Sequence, residues 1–308
     1  MIDNHTEVSC SEKSFESDEV WLGIFVSVNT LSVMINGLHM FVLKKMQRLR
    51  DQNYLWILLN LTLVDTAVAI SLVISASFTR PWLQKVDYGK ILGAVVLVSA
   101  ESSSLCRYFQ LTLASLDRYY AVCRPFEYAN SRLLNNIGKL SFLGWITNIL
   151  PSLAQFLVAP NAICLGTLSP FMREHKYTVY IFLWGALNML LPSIATAILL
   201  TKATRELKRM QKRSSSITDE DREVKNATKY VLLTCVLFYI TVIPLVLLAL
   251  MRTKLDYYDI YDMYLFVALC QSLYGVLNVV LFGCFNPAYV GQIKSLFRFC
   301  GATRVEPF

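Results

Sequence analysis

Charge is scarce in this chain. Charged residues are 17% of its 308 residues and hydrophobic ones 55%, with mean hydropathy +0.45. A soluble domain carries nearer a quarter charged, so a water-soluble globule is excluded and a polytopic membrane protein is expected. No alternating strand pattern competes with helix. No cysteines have zinc-ligand spacing, and no metal-ligand cluster or nucleophile–base motif appears, which argues against an enzyme and against a resident metal or cofactor. The paired halves expected of a transporter are missing too. So is the basic start and short apolar core of a cleavable signal peptide: Met1 to Val20 carry six acids and only Lys13.

What the chain does have is seven apolar stretches, at roughly 21–43, 54–79, 91–121, 140–159, 177–201, 230–251 and 262–286, each near the length that crosses a bilayer as a helix. The expected fold is an all-α seven-helix membrane bundle. It comprises an outer tail at 1–20, the transmembrane domain at 21–290, and a surface helix with a short tail at 291–308. With the N-terminus outside, twenty of the twenty-nine Lys and Arg fall on inner segments, as retention of positive loops requires. The net charge of +7 is therefore a topology signal, and no nucleic-acid partner is implied. Asn4 begins an Asn-His-Thr glycosylation acceptor on the outer side. Near the C-terminus Ile293, Leu296, Phe297 and Cys300 recur at helical spacing with Lys294 and Arg298 turned away. That pattern predicts a helix lying on the inner membrane surface, with Cys300 a candidate for palmitoylation.

At the inner end of the third stretch stands Asp117-Arg118-Tyr119-Tyr120-Ala121-Val122-Cys123-Arg124-Pro125. Intramembrane Asp or Arg costs about 2.5–3.5 kcal/mol on insertion scales, so these charges mark a working part of the interface or a pair of snorkelling anchors. Together with seven spans, an outer N-terminus and a closing surface helix, they resemble the rhodopsin-like (class A) G-protein-coupled receptors. Further matches are Asn36 in the first span, Asp65 in the second, Trp145 in the fourth, Pro192, Pro244 and Asn286-Pro287. The string from Asp117 through Tyr128 is similar to the odorant-receptor branch.

The resemblance implies a receptor that senses a small extracellular ligand and activates a heterotrimeric G protein from the plasma membrane, here with an olfactory cast. Arg118 is then held by Asp117 at rest and released to meet the G-protein α-subunit, with Arg124, Pro125 and Phe126 as docking surface. The basic run from Lys202 to Arg213 is either part of that surface or an anionic-lipid contact. The pocket is expected between Ala100, Glu101, Ser104, Trp184, Asn188, Leu245, Val246, Ala249, Ser272 and Val276. Ala100 replaces the aspartate of amine receptors, and the mostly apolar lining points to a small, largely apolar ligand. The alternative is that these side chains only pack helices together. The family's disulfide lacks its third-helix cysteine, leaving a Cys10–Cys164 bond as the candidate.

Departures from the family pattern are equally specific. Val242 stands where a tryptophan usually precedes Pro244, and Tyr289 comes one residue early after Asn286-Pro287, so activation through the family's tyrosine link is in question. Val224, with Glu223 adjacent, stands where some members place an acid facing Arg118, which predicts a weak ionic lock and appreciable basal activity. Arg107 lies eleven residues before Arg118, almost three turns and about 16 Å deeper on nearly the same face. Asp65 reaches a similar depth in the second span. The two are expected to pair, the guanidinium standing where the family holds sodium; the alternative is that Arg107 snorkels or faces water. A non-coupling decoy or scaffold is the alternative function, and a transporter a more distant one.

Overall fold

The computed structural model describes residues 19–46, 53–77, 88–128, 130–158, 175–213, 219–251 and 257–302. Eight long helices carry it: α1 (Glu19–Lys45), α2 (Asn53–Ser77), α3 (Tyr88–Cys123), α4 (Ile137–Val158), α5 (His175–Arg213), α6 (Asp219–Met251), α7 (Tyr257–Phe285) and α8 (Pro287–Ala302). Two single turns, Pro125–Tyr128 and Arg132–Asn135, join α3 to α4. No strand occurs among the described residues. Over those residues Val20–Lys45, Asn53–Ala76, Leu187–Lys212, Arg222–Pro244 and Phe266–Phe285 are long and apolar enough to cross a membrane.

The burial pattern is inverted relative to a protein in water. Along α1 the large apolar residues Val20, Ile24, Leu31, Met34, Leu38 and Phe41 are exposed, while Asn29, Ser32, Asn36 and His39 are buried. Leu190, Leu191, Ile194 and Ile198 on α5, and Val236, Ile240 and Ile243 on α6, make similar outward stripes at helical spacing. Such stripes suit hydrocarbon, and the polar groups turn inward because only protein can satisfy them there.

α3 is the hub, packing against α2, α4, α5 and α6, while α7 closes the ring onto α1 and α6. Polar bolts fix the hub. Ser141 on α4 donates to Gln110 Oε1 at 3.0 Å, and Thr112 Oγ1 lies 3.1 Å from Pro192 O and 3.0 Å from Thr196 Oγ1 on α5. α7 comes close to α1 and α2 at Gly275, where a Cβ would sit 3.2 Å from Asn36 Nδ2 and 3.3 Å from Asp65 Cβ.

Helix ends follow local chemistry more than hydropathy. The fifth and sixth apolar stretches were expected to stop near 201 and start near 230, yet α5 runs on to Arg213 and α6 begins at Asp219. The added turns are rich in Lys, Arg, Glu, Leu and Met, strong helix formers that continue into water. α3 stops at Cys123 because Pro125 disfavours helical backbone at Arg124. α7 likewise stops at Phe285, and the surface helix starts at Pro287 instead of 291. Asn286 Oδ1 accepts Tyr289 N–H at 3.1 Å, the geometry of a cap with proline at the first helical position.

One approach is tight enough to test. A Cβ on Gly144 of α4 would clash with the Phe109 ring of α3. Gly144→Val is expected to cost about 1–3 kcal/mol through overpacking. In thermal unfolding of detergent-solubilised protein it should lower the midpoint, and Phe109→Leu in the same chain should restore most of the loss.

Candidate functional site

Two polar centres lie on one face of α3, about three turns apart. The deeper holds Arg107 and Asp65, whose Nη2 and Oδ1 are 2.7 Å apart with each side chain 1% exposed. The guanidinium also lies over the Tyr274 ring at 5.0 Å and the Phe238 ring at 5.9 Å. Ion pairing and the π faces of α7 and α6 thus offset the loss of hydration, the condition for a charge at this depth. Asn36 lies close by on α1, its Nδ2 turned to Ser32 O at 2.9 Å.

The inner centre is built on Asp117 and Arg118. Arg118 donates through Nε and Nη2 to Asp117 Oδ2 at 2.9 and 2.5 Å, and Tyr128 donates to Asp117 Oδ1 at 2.8 Å. Burial pushes the Tyr128 phenol up, with the nearby Asp117 carboxylate adding to it, so the group stays a donor. Arg118 is only 6% exposed, and its guanidinium sits 4.6 Å over the ring of Tyr54 on α2. Tyr54 meets Tyr230 of α6 edge-on at 6.2 Å, and Tyr230 donates to Asn278 Oδ1 of α7 at 2.6 Å. Beside them Phe126 is 94% exposed on the turn after Pro125, where Arg124 pairs with Glu127 at 2.9 Å.

The seventh-helix assignment changes. Asn286 and Pro287 are at the α7–α8 junction, and Tyr289 belongs to the first turn of α8. The α7 asparagine that joins the interior network is Asn278, eight residues or about 12 Å deeper, where both Tyr230 and Thr234 donate to its Oδ1. Tyr289 is buried, its hydroxyl 2.7 Å from His39 Nδ1 on α1 and its ring edge-on to Phe282 at 5.0 Å. It ties α8 to α1 and α7.

Toward the end of α3 away from Arg118, Ser104 faces α7, its Oγ 2.8 Å from Ala100 O and 3.5 Å from Gln271 Oε1. Ala100, Glu101, Asn188 and Val276 are half-buried. Ser272, expected in the pocket, turns to α1 instead and donates to Asn29 Oδ1 at 2.5 Å. Asn4, Cys10 and Cys164 lie outside the described residues, as do the side chains of Trp184, Leu245, Val246, Ala249 and Cys300. Pro244 lies within α6, and Val242 is buried in the central apolar cluster. Among the described residues no cluster of His, Cys, Asp and Glu suits a metal ion. Sequence reasoning passed over Tyr54, Tyr230, Asn278, His39 and Gln271. For the first three the available signal was their helical depth relative to Arg118 and Asp65.

Residues 35–287 match the family described as 7 transmembrane receptor (rhodopsin family). The chain is 24% identical over 289 residues to somatostatin receptor type 4 of Rattus norvegicus, a match covering 89% of this chain and 70% of that receptor. To nematocin receptor 2 of Caenorhabditis elegans it is 31% identical over 93 residues, 29% of this chain and 23% of that receptor.

Removing one partner of a buried ion pair leaves an uncompensated charge, typically costing about 3–5 kcal/mol. Arg107→Ala is expected to reduce surface expression and thermal stability by that order. Arg107→Leu combined with Asp65→Asn should recover much of it, as read by surface immunolabelling and thermal shift of purified protein.

Proposed function

This chain belongs to the rhodopsin family of seven-transmembrane receptors, and from that premise we propose that it senses a small, largely apolar extracellular ligand and activates a heterotrimeric G protein. It works at the plasma membrane with its N-terminus outside, and acts by population shift rather than by chemistry of its own. The observation that carries the coupling half is the inner centre. A nearly buried Arg118, held by Asp117, which Tyr128 braces in turn, sits beside a fully presented Phe126. A charge kept in reserve next to an exposed aromatic anchor suits a partner that docks only once the charge is freed.

The ligand half rests on residue type. Ala100 in place of an acid, with Ser104 and Gln271 as the polar pair between α3 and α7, offers hydrogen bonding in an otherwise apolar surround. Relatives named for somatostatin and nematocin make those two ligands the natural contrast set. The ion pair at Asp65 supports a second property, insensitivity to sodium, because Arg107 already supplies a cation to that carboxylate.

Cells expressing wild type and Arg118→Ala at matched surface level are to be compared for basal and ligand-evoked second-messenger output. The panel contains odorants, somatostatin and nematocin. Arg118→Ala should abolish the signal. A response confined to somatostatin or nematocin would overturn the small apolar ligand, and silence in both proteins would favour the non-coupling alternative. Ligand affinity in membranes should be the same in sodium and in N-methylglucamine buffers, and a several-fold fall in sodium would count against the pair as a cation substitute.

A further inference from the structure

The inner centre contains a restraint that the Asp117–Arg118 pair alone does not provide. Asp117 adjoins Arg118 on the same helix, so that pair can persist through any rigid movement of the other helices. What covers Arg118 from outside α3 is the Tyr54 ring of α2, at 4.6 Å from the guanidinium carbon. Tyr54 is itself backed edge-on by Tyr230 of α6 at 6.2 Å. Tyr230 is held in turn by its hydrogen bond to Asn278 at 2.6 Å and its edge contact with Phe282 of α7 at 5.4 Å. Four helices therefore meet through one line of contacts: guanidinium, ring, ring, amide.

We infer that Tyr54 is the resting-state lock of this receptor: a cation–π lid from α2 that covers Arg118 and is clamped by Tyr230, in place of an acidic partner on α6. Val224 occupies the position of such an acid, and it packs with Val122, Ala203 and Leu207 in an apolar cluster. Arg118 cannot meet a protein partner while the Tyr54 ring lies across it. Uncovering it requires Tyr230 to leave Tyr54, and so requires the inner end of α6 to part from α2. Beneath the rings Tyr54, Leu58, Leu111, Ala114 and Tyr230 border a small apolar cavity of about 10 Å³. Atoms facing a void forgo dispersion contacts on that side, so this seam resists rearrangement less than a filled one.

The inference rests on the coupling reading above, and the test separates the two. Purified receptor in lipid nanodiscs carries spin labels at Arg132→Cys and Lys229→Cys, both exposed sites, with every native cysteine that takes up label in the wild-type chain replaced by Ser as background. The label–label distance reports α6 without any G protein, and ligand-independent nucleotide exchange on purified heterotrimers is measured in parallel. A cation–π contact that is largely desolvated corresponds to roughly a five- to thirtyfold bias between states. Tyr54→Leu is expected to raise the population at long label distance, and with it basal exchange, by about that factor. Tyr54→Phe keeps the ring and should return both to wild type. Arg118→Ala should shift the labels as Tyr54→Leu does while abolishing exchange, and adding Tyr54→Leu to it should shift them no further, the non-additivity of a shared contact.

An unchanged label distribution in Tyr54→Leu overturns the lock. So does failure of Tyr54→Phe to restore the wild-type distribution. If Tyr54→Leu does not reach the membrane, Tyr230→Leu, which removes the clamp and leaves the lid, should shift the labels in the same direction, and no shift overturns the proposal. A label shift in Tyr54→Leu with no exchange from any variant supports the lock and rejects the coupling reading.

Discussion

A guanidinium near the middle of a bilayer needs a counter-charge, and the Asp65–Arg107 pair at 2.7 Å is where this chain meets that need. Much of the interior is arranged around it. α2 and α3 are set in register by the contact, because a shift of one residue would swing either side chain about 100° away. Tyr274 and Phe238 place α7 and α6 against the same cation, and Gly275 lets α7 come within reach of Asn36 and Asp65. The pair stabilises the bundle less by its own Coulomb energy, which desolvation largely cancels, than by making every alternative packing expose a charge. Its contribution is specificity of helix arrangement.

From that centre inward the interactions change character. Near Arg107 they are fully buried and span different helices. Near Arg118 they pass through aromatic edges, with Tyr54, Tyr230, Phe282, His39 and Tyr289 each touching the next. Edge-to-face ring pairs contribute about 0.5–1.5 kcal/mol each and tolerate some sliding, whereas a buried ion pair does not. A receptor needs both: a rigid middle to keep the helices in place, and an inner end whose contacts yield for an energy that ligand binding can supply. Val242 fits this division. It fills the central cluster where the family often has tryptophan, and a valine there agrees with the proposal that the inner rings carry the switch.

The seven-helix bundle and the Asp65–Arg107 contact were legible in the sequence because each follows from one-dimensional arithmetic: apolar run length and the rise per residue of a helix. The helical extensions of α5 and α6 were missed because hydropathy registers the membrane and stops where lysine begins, while helix propensity does not. Asn286-Pro287 was matched to the family's seventh-helix motif, and the structure places it at the α7–α8 junction. Asparagine followed by proline is the start of a helix, and reading it as a point inside α7 moved the interior asparagine by eight residues. The depths of Tyr54, Tyr230 and Asn278 were legible from residue spacing, but the meeting of their side chains was not. Aromatic contacts between helices separated in sequence depend on rotation about each helix axis, and an all-apolar bundle helix carries almost no periodic signal to set that rotation.

The two arginines of α3 show why chemically identical residues take different roles in one protein. Arg107 is held by a carboxylate on another helix, so freeing it would strand two charges in low dielectric at a cost of several kcal/mol. No ligand of ordinary differential affinity would supply that. Arg118 is held by a carboxylate on its own helix, one residue away, so the charge remains neutralised whether or not the rings above it move. Only the cation–π contact and the ring stacking are lost on opening, terms of about 1–2 kcal/mol each. Water or a partner's polar groups can replace them at the membrane edge. Depth and the location of the counter-ion, rather than the guanidinium itself, make the first a fixture and suit the second to the switch proposed for it.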